Sequence, residues 1–261
     1  MFSQAERREL RECLVAAARV DERIRAAAVV GSAAAHREDE WSDIDLAFRL
    51  AAGLEPADVG DAWTGWMYKD HGAVDHLDVW SESTLFRVFL LPSSMQVDLS
   101  FWPWERFAPS GASFRLLFGD ANKPRPSSSP TPKTLIGMGW LYALHARASI
   151  ARGRNLQALY MVNGLRDHVV SLACLRHGLP AQEGRGVDDL PPDVLETLAD
   201  TLVRGLRRSD LSTALANTIK ALIDEAEQID PGLASRLREP ARELVRTASG
   251  PRGEPVEDVV P

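Results

Sequence analysis

The chain has 261 residues, 45% of them hydrophobic and 26% charged, with a formal net charge of −7. Such a composition can bury a real core without a metal or disulfide staple, and the length favours two domains over one. It excludes a general grip on nucleic acid, which depends on clustered positive charge, and no apolar run is long enough to mark a membrane span.

In chain order, the N-terminus MFSQAERREL is charged and lacks the apolar centre of a secretory signal, so a cytoplasmic location is expected. Residues 3–18 form the first expected helix, with Leu10, Leu14, Val15 and Ala18 as its apolar stripe. AAVVGS then reads as a short strand ending in a Gly-Ser turn that gives way to the helix-forming run AAAHRE, and Ile44 to Leu50 as a second strand. Val59, Trp63, Trp66 and Met67 carry helical spacing between Glu55 and Asp70. VDHLDVW, LFRVFLL and SMQVDLSFW are strand-like, and Pro92-Ser93-Ser94 is too short a link for a parallel crossover, so some pairing must be antiparallel.

ANKPRPSSSPTP, residues 121–132, reads as a linker. Beyond it only helical patterns occur, at about 133–152, 155–178, 192–205, 210–229 and 232–247, which suggests a bundle. The expected organisation is α+β. A mixed-sheet domain spans 1–120, the linker 121–132, a helical domain 133–248 and a flexible tail 249–261. Cys13 and Cys174 lie far apart in apolar helical patterns and read as small hydrophobes, not as a disulfide.

The chemistry is concentrated in VVGSAAAHREDEWSDIDLAF, residues 29–48. Strand alternation places Asp43 and Asp45 on one face and turns Ile44 and Leu46 toward the core. Two carboxylates on one face repel each other unless a cation sits between them. Alone, Asp-x-Asp is no more than a solvated strand start. A third acid, Asp98 in the apolar strand MQVDLSF, changes the balance, because hard divalent cations such as Mg²⁺ take clusters of oxygen ligands. Gly31-Ser32 adds backbone amides and a hydroxyl at a strand end, groups that suit a phosphate.

In order and spacing, Gly31, Ser32, Asp43, Asp45 and Asp98 resemble the signature of the nucleotidyltransferase superfamily, the polymerase-beta-like fold: Gly-Ser, a short spacer, Asp-x-Asp and a later third acid. The resemblance covers residues 26–105, and the added helical domain makes the chain look most like the aminoglycoside and lincosamide antibiotic adenylyltransferases. It implies in-line transfer of a nucleoside monophosphate, AMP from ATP or the equivalent from another triphosphate, to a hydroxyl of a small acceptor, with release of pyrophosphate. One or two Mg²⁺ ions would be held by Asp43, Asp45 and Asp98, and Asp98 would act as general base, unless an acid of the helical domain takes that role as in some relatives. Gly31 and Ser32 would hold phosphate. Ala35-His36 departs from the Arg-Gly that family members commonly carry there.

In the helical domain, Arg154 and Arg166 are the candidates to meet the triphosphate, with Arg147 and Arg152 nearby and Gly153 breaking the helix between them. Phe101, Trp102 and Trp104 are candidates for an aromatic wall beside Asp98. His36, His71, His76, His145 and His177 show no zinc-ligand spacing, and the adjacent pair Asp167-His168 points in two directions on a helix. Two other readings compete. One is a protein acceptor, as for toxin-neutralising nucleotidyltransferases, which are usually minimal single domains; the other is a non-catalytic member that binds nucleotide or a partner.

Overall fold

The computed structural model describes residues 2–109, 113–124 and 130–249. Residues 125–129 of the expected linker and the tail beyond 249 lie outside the described residues. The chain divides into two compact units, Met1–Ser127 and Ser128–Pro261.

The first unit runs α1 (Gln4–Val20), β1 (Ile24–Val30), α2 (Gly31–Ala34), β2 (Ile44–Leu50), α3 (Pro56–Asp70), β3 (Asp75–Ser81), β4 (Thr84–Leu90), β5 (Gln96–Trp102) and β6 (Phe114–Phe118). Ser3 and Glu6 start α1 with a reciprocal capping box, which satisfies two of the amide donors a helix start leaves unpaired. The strands form one mixed sheet in the order β3-β4-β5-β2-β1-β6. Only β2 and β5 run parallel; the remaining neighbours are antiparallel. Alternation buries Ile44, Leu46, Phe48 and Leu50 of β2 with Val97, Leu99 and Phe101 of β5 beneath Leu14 of α1 and Val59, Trp63 and Met67 of α3.

On the opposite face the side chains are small: Ala26, Ala28 and Ala47 are fully buried there under Phe107, with Trp102 and Phe114 at the margin. Arg49 closes this end. Its side chain is 2% exposed, lies 3.6 Å over the Trp104 ring, and donates to the Trp104 carbonyl at 3.2 Å, to the Asp120 carbonyl at 3.0 Å and to Asn122 Oδ1 at 3.2 Å. One guanidinium thus ties the segments after β5 and after β6 to β2. Arg49→Met should destabilise the protein by about 3 kcal/mol in urea titration, because several carbonyl and amide acceptors lose their donor at once. A loss below about 1 kcal/mol would show that the cross-link is ornamental.

Four local readings need correction. The strand β6 was not expected; its five residues pair with β1 on the sheet edge, where a short segment has little pattern of its own. The run AAAHRE makes no extended helix: α2 is a single turn, and His36 has a positive φ of 56° that ends it. The helix expected over 192–205 stops earlier, as α6 (Pro192–Asp200). Cys13 is exposed, unlike the buried Cys174; both are free.

The second unit is a bundle of α4 (Pro132–Ala151), α5 (Asn155–Arg176), α6, α7 (Arg208–Ile229) and α8 (Pro231–Ser249), with 3-10 turns at Gln182–Gly184 and Val187–Asp189. Gly153, at φ 69°, breaks the chain between α4 and α5. Val162, Leu165, Leu172, Leu211 and Leu215 sit in one buried core. Arg176 ties α5 to Glu225 of α7 through two bonds of 2.8 Å. Among the described residues no helix is long and apolar enough to cross a membrane.

Candidate active site

The end of β1, the start of β2 and the start of β5 meet at one end of the sheet. The parallel register pairs Asp45 with Asp98, so the two carboxylates leave neighbouring strands on the same face, opposite the helix-covered core. Ala47 and Ser100 are the next pair on that face. Ser100 Oγ donates to the Leu46 carbonyl at 3.2 Å and accepts from the Trp102 indole at 2.9 Å.

Asp43 lies one residue before β2, so strand alternation does not orient it as expected. Other residues do. Gln96 Nε2 donates to Asp43 Oδ2 at 3.2 Å. Upstream, Arg7 of α1, almost fully buried, donates to the Ser42 carbonyl at 2.8 Å, and Arg11 binds Glu38 at 2.5 Å. Asp39 closes the turn by accepting from the Trp41 amide at 2.9 Å, while its own amide donates to Ser42 Oγ at 2.9 Å. Arg7 and Gln96 position the site, and nothing in their local sequence marks them. Their partners are 35 and 53 residues away.

Gly31 follows β1 at φ 65°, and its open side is filled by Asp45. A Cβ at Gly31 would fall 2.2 Å from Asp45 Oδ2 and 3.0 Å from its Cγ. The Gly-Ser turn and the second aspartate are thus one packed unit, which explains why the turn needs glycine. Ser32 Oγ is buried beside it with no hydrogen-bond partner.

Asp98 is the electrostatic centre. Burial, and then the charge of Asp43, push its carboxyl up from 3.8 to about 6. Its Oδ1 is buried without a partner. A carboxylate oxygen and a hydroxyl left unpaired at the same end of one sheet are a costly arrangement unless a ligand completes them.

Among the described residues, no three His, Cys, Asp or Glu side chains are gathered into a ready-made cation cage. Asp45 rests against Gly31 and Asp43 is held by Gln96. By donor chemistry the set nevertheless fits Mg²⁺: all-oxygen, acidic, with one oxygen of Asp98 unpartnered.

The aromatic wall is corrected in part. Phe101 is fully buried on the other face of the sheet, packed against Phe48 and Trp63, because it is one residue out of phase with Asp98. Trp104 is occupied by Arg49. Only Trp102 shares the face of Asp98, with its ring against Phe86 and Phe107. In the second unit, Arg154 is the exposed residue preceding α5, and Arg166 is partly buried within that helix with Nε unpartnered. His168 packs edge-on to Tyr142, and burial lowers its pKa, as for a structural imidazole.

No family model matches the chain, and no curated protein matches it. Among solved structures, the chain is similar to the crystal structure of an aminoglycoside 6-adenyltransferase from Bacillus subtilis, with a TM-score of 0.40 and 13% identity over 94% of this chain and 99% of that one.

Proposed function

We propose that the protein is a metal-dependent nucleotidyltransferase that moves a nucleoside monophosphate, AMP from ATP in the first instance, to a hydroxyl of a small molecule. The observation that carries this reading is the Asp45–Asp98 register pair, set beside Gly31-Ser32 with Ser32 Oγ and Asp98 Oδ1 both unpartnered. The order and spacing of these residues resemble the superfamily signature, and the packing gives that order a physical reason.

In this reading Asp43, Asp45 and Asp98 would hold one or two Mg²⁺ ions, which would supply positive charge for the phosphate oxygens and the leaving pyrophosphate. Gly31 and Ser32 orient the phosphate. Asp98, or an acid of the second unit, is proposed to accept the proton of the attacking hydroxyl. Arg154 and Arg166 are proposed to supply positive charge to the triphosphate. The resemblance puts aminoglycosides and lincosamides first among the acceptors to try.

The test is pyrophosphate release from each of the four nucleoside triphosphates, with and without Mg²⁺, across a panel of hydroxylated antibiotics and metabolites. Release that requires Mg²⁺ and one acceptor is the expected result. Silence across the panel despite measured ATP binding would overturn small-molecule transfer and shift attention to a protein acceptor or a non-catalytic role.

A further inference from the structure

The sheet face that carries the acids continues outward over β4 and β3, and there it turns apolar. Asp45 of β2 stands in register beside Asp98 of β5, Asp98 beside Val88 of β4, and Val88 beside Leu77 of β3. The next row on that face is Ala47, Ser100, Phe86 and Val79. Alternation therefore sets Leu77, Val79, Phe86 and Val88 on the face of the carboxylates, away from α3. Leu77 is 63% exposed and Val79 46%, while Phe86 and Val88 are partly exposed. The Trp102 ring, 5.9 Å from that of Phe86, bounds this floor two rows beyond Asp98.

The charges of the same two strands are turned the other way. Arg87 donates to both oxygens of Asp78 at 2.6 Å and reaches Asp61 and Thr64 of α3 at 2.9 and 2.8 Å. Asp75, at the start of β3, is the one charged residue of β3 and β4 that alternation leaves on the acids' face. Contiguous exposed apolar side chains beside carboxylates mark a surface that meets a ligand.

The strand order says which ligand. Gly31-Ser32, proposed to hold phosphate, follows β1, and the order β3-β4-β5-β2-β1 puts Asp45 and Asp98 between that turn and the apolar floor. In-line displacement sets the attacking and leaving oxygens on opposite sides of phosphorus. With the leaving phosphates on the β1 side, the attacking hydroxyl arrives from the β4 side.

We infer that Leu77, Val79, Phe86 and Val88 form the acceptor floor, and that the acceptor is an uncharged alcohol whose hydroxyl is carried on an apolar skeleton. This rests on the transfer reading above. The acceptor oxygen bonds to the α-phosphorus as the bond to pyrophosphate breaks, and its proton passes to the base. An apolar skeleton withdraws from water the side chains that the fold leaves exposed, whereas a polycation meets one carboxylate of these strands, Asp75, at the rim.

The floor is probed in the full chain with N-phenyl-1-naphthylamine, an uncharged fluorophore, with octyl glucoside, methyl glucoside and kanamycin as competitors. Octyl glucoside should displace the probe at least about tenfold better than methyl glucoside, which shares its sugar, and kanamycin should not compete. Leu77→Ser and Val88→Thr should each weaken probe binding by about threefold, and Trp80→Ser, on the opposite face, should not. Val79→Glu, at an exposed position that tolerates the change, should weaken the probe and admit kanamycin. Probe binding unchanged in Leu77→Ser, Val88→Thr and Val79→Glu would overturn the floor. Pyrophosphate release from ATP with Mg²⁺ separates the two readings. Release driven by apolar alcohols, with KM raised and kcat kept in Leu77→Ser, supports the inference. Release driven by kanamycin with the same KM in parent and Leu77→Ser would overturn it and leave transfer standing. No release with any acceptor would overturn transfer, and the acceptor role with it, even where the probe still binds.

Discussion

Asp98→Asn should make the metal-free protein more stable while abolishing transfer. In the folded chain the Asp98 carboxyl titrates at about 6, against an ordinary value of 3.8, because burial and the neighbouring Asp43 disfavour its charge. The native state therefore binds more protons than the unfolded chain between these values. The favourable contribution of the protonated acid is complete below about pH 4 and is lost as pH rises through 6. Above pH 6, ionised Asp98 costs about 2 kcal/mol once partial solvent screening is allowed for. Asn cannot ionise, so in EDTA the variant should melt about 5 °C above the parent at pH 8, and the two should converge toward pH 4. Added Mg²⁺ should stabilise the parent and not the variant. Turnover should fall at least about a hundredfold, the scale of losing a general base. Equal melting temperatures at pH 8 would show that Asp98 carries no strained charge, and retained turnover would remove it from the chemistry.

Gly31→Ala should disable the same site through geometry alone. The added Cβ would lie 2.2 Å from Asp45 Oδ2, so the carboxylate must move, and the φ of 65° is itself unfavourable for an L side chain. The expected result is a loss of about 1–2 kcal/mol in stability, together with a hundredfold or greater fall in kcat. Gly53→Ala is the matched control: its φ of 80° imposes similar backbone strain, but nothing lies within 4 Å of the new Cβ. If Gly53→Ala loses as much turnover as Gly31→Ala, backbone strain and not displacement of Asp45 is responsible, and the packed Gly31–Asp45 unit is not what the site requires.

Much of the first unit was legible because its patterns are local. Ile44 to Leu50 alternates cleanly, and β2 spans those same residues. Pro92-Ser93-Ser94 had to be a turn, and it joins β4 to β5 with Ser94 at φ 66°. The helices α4, α5, α6, α7 and α8 follow from repeated apolar spacing, and Gly153 divides α4 from α5 as its backbone freedom allows. Local pattern was too weak where pairing or a backbone angle decided the outcome. The five residues of β6 become a strand only because β1 offers an open edge, and α2 stops after one turn because His36 adopts a left-handed conformation.

The sequence by itself determined the α+β class, the run of helices that follows the sheet and the identity of the acids, because periodicity and residue type are properties of the chain alone. Which acids stand side by side was decided only by the tertiary structure. Asp45 faces Asp98 because β2 and β5 pair in parallel at one register among several, and a shift of one residue would have sent Asp98 into the core in place of Val97 or Leu99. The same holds for the residues that hold the site in place. Arg7 on Ser42, Gln96 on Asp43 and Arg49 across Asp120 and Asn122 bridge 35 to 73 residues of chain. The raised pKa of Asp98 depends likewise on how deeply the folded sheet buries it and how near it brings Asp43, quantities that exist only once the chain has closed on itself.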